Sequence, residues 1–399
     1  MFRQWFILSS ILIATIAFSE EKADSKTPQK AQASITAKVL WKAEVNAGFS
    51  SVVVQQDRLY TMGNKSNKDT IFCLNAKTGK VIWKYTYACK MGKYKGSHST
   101  PLLDKNKLYV INHLGTLLCL DAEAGKLLWK KNVLKETKNN LENWQMPSSP
   151  LIIKDLIILN MGSSGVALQK ETGKIVWQSK GKSGHISPVI LNSRGYIALY
   201  NGKRFNIIKS QTGTIIKYYD WKLKSKINEM SPLVIEDKLF LSSSYEDHCT
   251  LIDFSSKEPT VVWENTEIKE YFNSSIVYNG YIYGIDGQAK RESVFRCLSA
   301  NDGSATWSEK TIFSSIILAK DLLIQLDEKG TLHFILLDSD HFKELYTFKT
   351  GLKKFCWALP VFKNNIIYCR NGEGTLVAVE MKKSSSTKEK KTNAQTNKK

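Results

Sequence analysis

The chain has 399 residues, with 57 Lys and Arg against 37 Asp and Glu and a net charge of +20. A basic surface of this kind attracts phospholipid, acidic polysaccharide or acidic protein, and the lack of any recognisable nucleic-acid module in the sequence excludes nucleic acid as the expected ligand. A folded body of this size buries enough apolar surface to need no staples, so the seven cysteines are read first as small buried residues.

Residues 1–5 carry one positive charge, residues 6–18 form a short apolar run, and Ala17-x-Ser19 precedes Glu20. This is the grammar of a signal peptide cleaved near Ser19, which implies an exported protein of the periplasm or the extracellular space. The run is shorter than the roughly 20 apolar residues of a spanning helix, which leaves an uncleaved anchor as the alternative. Residues 20–36 read as a polar linker.

From Ala37 onward the chain repeats. The phrase Cys73-Leu-Asn-Ala-Lys-Thr-Gly79-Lys-Val-Ile-Trp83 returns as Cys119-Leu-Asp-Ala-Glu-Ala-Gly125-Lys-Leu-Leu-Trp129 and as Ala167-Leu-Gln-Lys-Glu-Thr-Gly173-Lys-Ile-Val-Trp177, and it decays to Gly303-Ser-Ala-Thr-Trp307. Each copy predicts two strands joined by a tight turn. A second strand pair precedes each copy, as in residues 99–111 with their Asp-Lys-Asn turn, which makes four strands per unit. Units start at Val52, Pro101, Pro150, Pro188, Pro232, Ser275, Ile316 and Pro360, spaced 38 to 49 residues apart.

A four-stranded unit of this period predicts an all-β, eight-bladed β-propeller over residues 37–381. The last unit lacks a fourth strand and residues 37–44 are a strand without a blade, so the N-terminal strand is predicted to complete the last blade. Gly79, Gly125, Gly173 and Gly303 supply a positive φ, and Trp83, Trp129, Trp177 and Trp307 cover neighbouring blades, which gives these residues a structural role. Residues 382–399 form a lysine-rich tail without apolar residues, expected to be disordered and able to touch anionic surfaces. Cys73, Cys119 and Cys297 fall at the same strand position of different blades, whereas Cys356 and Cys369 flank one turn and could face each other across a hairpin.

In a propeller the residues just before each innermost strand ring one mouth of the channel, the default binding site. Three residues before each unit start stand Phe49, His98, Pro147, His185, Glu229, Phe272, Phe313 and Trp357, with Trp144, Gln145, Asn228, Asn273 and Lys354 at the same level. His98 and His185 belong to non-adjacent blades, too far apart for one ion, so no metal is expected. His113, His248, His333 and His341 show no partner pattern. Nucleophile-elbow, zincin, P-loop and paired Cys-x-x-Cys motifs are absent from the sequence, so no catalytic residues are assigned.

The repeat resembles that of the pyrroloquinoline-quinone (PQQ)-type propeller family, whose consensus ends in Ala-x-Asp-x-x-Thr-Gly-x-x-x-Trp and which includes quinoprotein dehydrogenases and BamB-like outer-membrane assembly lipoproteins. The resemblance implies either a dehydrogenase holding the quinone with calcium or a non-catalytic scaffold binding envelope proteins, including the outer-membrane assembly machinery. Two features depart from these relatives: no cysteine precedes Cys73, so the lipid-anchor site is missing, and the adjacent Cys-Cys pair and acidic calcium shell are missing, Glu229 being the one acidic ring residue. The expectation is a monomeric, non-catalytic exported scaffold with no cofactor. The alternatives are a PQQ-dependent alcohol or sugar dehydrogenase with a divergent site using Glu229 and Asn228, and a carbohydrate-binding propeller using Phe49, Phe272, Phe313 and Trp357.

Overall fold

The computed structural model describes residues 34–92, 96–139, 148–191, 194–221, 231–245, 248–272 and 275–384. The expected signal peptide, most of the linker and nearly all of the tail lie outside them. Eight four-stranded antiparallel sheets follow one another along the chain. Blades 1 to 7 occupy residues 53–88, 102–132, 151–178, 189–220, 233–265, 276–312 and 314–349, and blade 8 is built from residues 361–384 with Ser34–Glu44 as its outermost strand. The closing strand begins at Ser34, three residues before the expected Ala37. Among the described residues the one helix is Val133–Thr137, capped by Asn132, whose Oδ1 accepts from the Lys135 amide at 2.9 Å.

The two middle strands of each blade are largely buried on both faces, as in Leu156–Leu159, where all four residues are apolar and buried. Alternation is lost there because neighbouring blades cover both faces; the outermost strands, such as Leu127–Asn132, do alternate between half-buried and exposed. The turn before each outermost strand is longer than the expected tight hairpin. A register shift marks it in blades 1 to 7, for example at Cys73/Leu74 and Cys119/Leu120.

Gly and Trp form a lock between successive blades. Trp83 Nε1 donates to the Ala122 carbonyl of the next blade at 3.0 Å, and Tyr60 of the same blade donates to that oxygen at 3.1 Å. Trp41, Trp129, Trp177, Trp263 and Trp307 repeat the bond onto Ala76, Lys170, Ser210, Ala300 and Asp338. The indole lies flat against the next blade's glycine: a Cβ on Gly125 would stand 2.5 Å from Trp83, and Gly125 has φ +69°. The glycine is therefore required twice, for its backbone angle and for the ring above it.

In blade 4, where the tryptophan is lost, the bond survives. Lys217 occupies the Trp position of blade 4, opposite Ile207, and its Nζ donates to the Phe254 carbonyl at 2.6 Å and to Ser256 at 2.5 Å. Blade 5 correspondingly has no glycine in its turn, since residues 254–259 are Phe-Ser-Ser-Lys-Glu-Pro and no indole needs space. Replacing Lys217 with Met is expected to cost about 1–2 kcal/mol, read as a lowered urea midpoint at unchanged slope.

All seven cysteines are free and buried. The hairpin of blade 8 pairs Val361 with Tyr368 and goes no further, which leaves Cys356 in the preceding loop and not across the ladder from Cys369. Cys73, Cys119 and Cys297 do take one equivalent position, opposite Trp83, Trp129 and Trp307.

Candidate functional site

A cavity of about 490 Å³ opens at the channel mouth, lined by residues from blades 1 to 5 and by loop residues beside blades 6 and 8. Two layers build it. The deeper one is a chain of hydroxyls immediately before the innermost strands. The backbone N–H of Ser51 donates to Thr100 Oγ1 at 3.1 Å, that of Thr100 to Ser149 Oγ at 2.9 Å, that of Ser149 to Ser187 Oγ at 2.8 Å, and that of Ser187 to Ser231 Oγ at 3.2 Å. Ser51 Oγ donates in turn to the Leu359 carbonyl of blade 8. Backbone donors with no ladder partner inside the channel are thus satisfied by the neighbouring blade. The signal for this layer was in the repeat itself, as a Ser or Thr one residue before Val52 and before four of the aligned prolines.

The upper layer is aromatic. Trp357 stands at its centre, stacked on Phe49 with centroids 5.4 Å apart and planes 16° apart, and lies 5.7 Å from Phe272, 6.5 Å from Phe313 and 5.3 Å from Phe355. Tyr271 meets Phe272 at 3.8 Å and Tyr245 at 5.7 Å. Phe49, Tyr271, Phe272, Phe355 and Trp357 are half-buried, while Leu359 beside them is 44% exposed. Glu328 positions the central ring: its Oε2 accepts from Trp357 Nε1 at 3.3 Å, and both its oxygens accept from the Lys290 amide. The Lys290 and Lys354 ammonium groups lie 5.4 and 5.7 Å from the centre of the Phe355 ring.

Of the residues expected at this ring, Phe49, His98, His185, Phe272 and Trp357 share the cavity wall. Phe313 is buried behind Phe272 and Trp357 and does not line the cavity. Trp144, Asn228 and Glu229, with Pro147, Gln145 and Asn273, lie outside the described residues. His98 packs edge-on against Phe49 at 5.3 Å, and burial, with His113 as a second cause, pushes its pKa down to about 4, so it is neutral at physiological pH.

Beneath the aromatic loop lies Glu270, 2% exposed, whose Oε1 accepts from Ser275 Oγ at 2.8 Å and whose backbone N–H donates to Ser242 Oγ at 2.9 Å. Burial pushes its pKa up to about 8. Its bond to Ser275 closes the loop that carries Tyr271 and Phe272. Gln288, Lys290 and Glu328 come from loops away from the aligned ring position, and Glu270 and Tyr271 directly precede the aligned Phe272, so a reading of one residue per blade missed all five.

A second, shallower cavity between blades 6 and 7 holds His333 between Glu344 at 2.6 Å and Asp327 at 3.4 Å. Burial alone would lower the His333 pKa, but the two carboxylates outweigh it and the net shift is upward. The arrangement is an ion-paired bracket across strands 322–327, 331–336 and 344–349.

A calcium–quinone pair needs six to eight oxygen ligands around the ion and cationic partners for the quinone carboxylates. The described wall contains no carboxylate and no arginine, and its hydroxyl oxygens already accept from backbone N–H groups. The described residues do not fit that group.

The family described as outer membrane protein assembly factor BamB matches this chain over residues 31–93 and 88–309. Among solved structures the fold is similar to BamB from Moraxella catarrhalis, with 15% identity, 86% of this chain and 98% of that chain covered, and a TM-score of 0.65. It is also similar to quinohemoprotein alcohol dehydrogenase from Comamonas testosteroni, with 13% identity, coverage of 86% and 76%, and a TM-score of 0.66. A computationally designed protein, Ika8, gives 9% identity, coverage of 84% and 98%, and a TM-score of 0.60. At these identities the likeness is one of fold alone. No curated protein matches the chain.

Proposed function

The chain belongs to the PQQ-like propeller family described as outer membrane protein assembly factor BamB, and from that membership we propose that it is a non-catalytic scaffold of the bacterial cell envelope which binds a protein partner through its aromatic mouth. The observation that carries this reading is the half-exposed cluster of Phe49, Tyr271, Phe272, Phe355 and Trp357 on a rigid frame. Aromatic anchors held in place before binding lose little entropy on association and dominate the energetics of protein interfaces. Lys290 and Lys354 at the edge of the cluster favour a partner segment that combines apolar and acidic residues. Among the described residues no helix is long and apolar enough to cross a membrane, and the apolar run at residues 6–18 supports export.

The dehydrogenase reading requires a calcium–quinone site that the described wall does not supply. Calorimetric titration of the purified protein with pyrroloquinoline quinone, with and without calcium, is expected to give only heat of dilution. Calcium-dependent binding at micromolar concentration or tighter would overturn the non-catalytic reading.

A further inference from the structure

Asp69, Cys89 and His113 meet at the boundary of blades 1 and 2, each offering one ligand atom, with all three atoms within 4.8 Å of one another. Asp69 lies in strand Lys68–Asn75, Cys89 directly follows strand Val81–Ala88, and His113 follows strand Lys107–Ile111 of the next blade. Their exposures are 0%, 3% and 3%. Cys89 packs as a small residue in the apolar cluster between the two blades, but a carboxylate and an imidazole buried beside it call for another explanation.

The surrounding groups hold Asp69 as an acceptor, while the Cys89 thiol accepts from Asn112 and donates to the Lys90 carbonyl at 4.0 Å. The Asn64 amide donates to Asp69 Oδ1 at 2.7 Å and to the Cys89 carbonyl at 3.0 Å, the Tyr87 hydroxyl donates to Asp69 Oδ2 at 3.1 Å, and the Asn112 amide donates to Cys89 Sγ at 3.3 Å. His113 Nε2 stands 3.0 Å from the Lys90 carbonyl oxygen. A carbonyl only accepts, so Nε2 carries the ring proton and Nδ1 presents a bare lone pair. That Nδ1 is fully buried and meets no hydrogen-bond donor. An imidazole that gives one N–H to a backbone carbonyl and keeps the other nitrogen bare is prepared as a metal ligand.

We propose that Asp69, Cys89 and His113 bind a zinc ion that pins blade 1 to blade 2. A thiolate, an imidazole and a carboxylate together match the borderline-soft character of zinc, and a water completes the tetrahedron. Tetrahedral zinc sets its ligand atoms about 3.3–3.6 Å apart, so atoms already within 4.8 Å of one another need close by no more than about 1.5 Å around the ion. Zn²⁺ replaces the thiol proton of Cys89, which leaves to solvent, and a Zn–S bond forms with no change of oxidation state. The sequence expectation of no metal rested on His98 and His185; these three ligands come from outside that ring and from two blades. The site stands independently of what the mouth binds.

The test is metal uptake by the purified, chelator-treated full chain, using Zn²⁺ in competition with a chromophoric chelator and Co²⁺ as a spectroscopic probe. One Zn²⁺ per chain is expected, with a raised thermal midpoint and, for Co²⁺, a thiolate-to-cobalt charge-transfer band. Cys89→Ser and His113→Gln are expected to weaken Zn²⁺ binding by more than about 100-fold, while Cys249→Ser, remote from the site, leaves it unchanged. No uptake by the wild-type chain, or uptake without the charge-transfer band, would overturn the proposal even if the variants failed to fold; so would unaltered affinity in folded Cys89→Ser and His113→Gln.

Discussion

Replacing Arg370 with methionine is expected to destabilise the propeller by about 3–5 kcal/mol, because several acceptors lose their charged donor at about 1–3 kcal/mol for each one left buried and unsatisfied. Arg370 is 2% exposed in the second strand of blade 8, and its hydrogen-bond partners among the described residues are neutral acceptors. Its Nη1 donates to the carbonyls of Ser50 and Met62 and to Thr61 Oγ1, each at 2.9 Å, and its Nη2 donates to the Asn46 carbonyl at 3.1 Å. These acceptors belong to blade 1 and to the segment leading out of the closing strand, so one guanidinium ties the last blade to the first. Burial lowers its pKa to about 10, which still leaves it charged at neutral pH. The closing strand adds backbone bonds from Val45 to Gly374 and from Gly48 to Gly372. Methionine fills the volume and leaves four acceptors without a donor. Urea unfolding at pH 7 measures the effect, and a loss below about 1 kcal/mol would show that the ring does not depend on this latch.

The second large effect concerns pH. Glu270 has a folded pKa raised from 4.5 to about 8 by burial, so the folded chain holds its proton more tightly than the unfolded chain does. In that window the unfolded state binds fewer protons, and stability falls as pH rises from about 4.5 to about 8, then levels off. Glu270→Gln keeps the shape of the neutral carboxyl and removes the fall. The variant is expected to match the wild type near pH 4 and to exceed it by about 3–5 kcal/mol at pH 9, from 1.36 kcal/mol per pKa unit. Urea midpoints of the two proteins at both pH values test it; equal midpoints at pH 9 would place the carboxyl in an ordinary environment. Because Glu270 closes the loop bearing Tyr271 and Phe272, partner binding at the mouth is expected to weaken as pH rises through about 8, where the folded chain loses this proton.

The architecture was legible in the sequence because each blade is one supersecondary unit and its period survives even where its phrase decays. The unpaired strand at residues 37–44 and the unfinished last unit pointed to the closure that the strand order shows. Lys217 explains why the Trp phrase looks eroded while the blade stays intact: an ammonium reaches the carbonyl position that an indole N–H reaches elsewhere.

Other features were hidden because they arise between blades. Arg370 sits in Ile-Ile-Tyr-Cys-Arg, a context that does not distinguish a buried cation from a solvated one. Asp69, Cys89 and His113 are spread over two blades without any metal-ligand spacing. The aromatic ring was readable residue by residue, yet its collapse around Trp357 depends on Glu328 and the 271–272 loop, which share no repeat position with it.

Photo-crosslinking inside cells tests the proposed role most directly, with a photoreactive amino acid placed in turn at Leu359 and at Val176. The two positions are 44% and 47% exposed, but Leu359 lines the mouth whereas Val176 lies on the outermost strand of blade 3. The expected result is one dominant envelope protein captured from position 359, lost when Trp357 is replaced by Ala, and absent from position 176. Capture of no protein from position 359, or equal capture of the same protein from both positions, would contradict a partner-binding mouth.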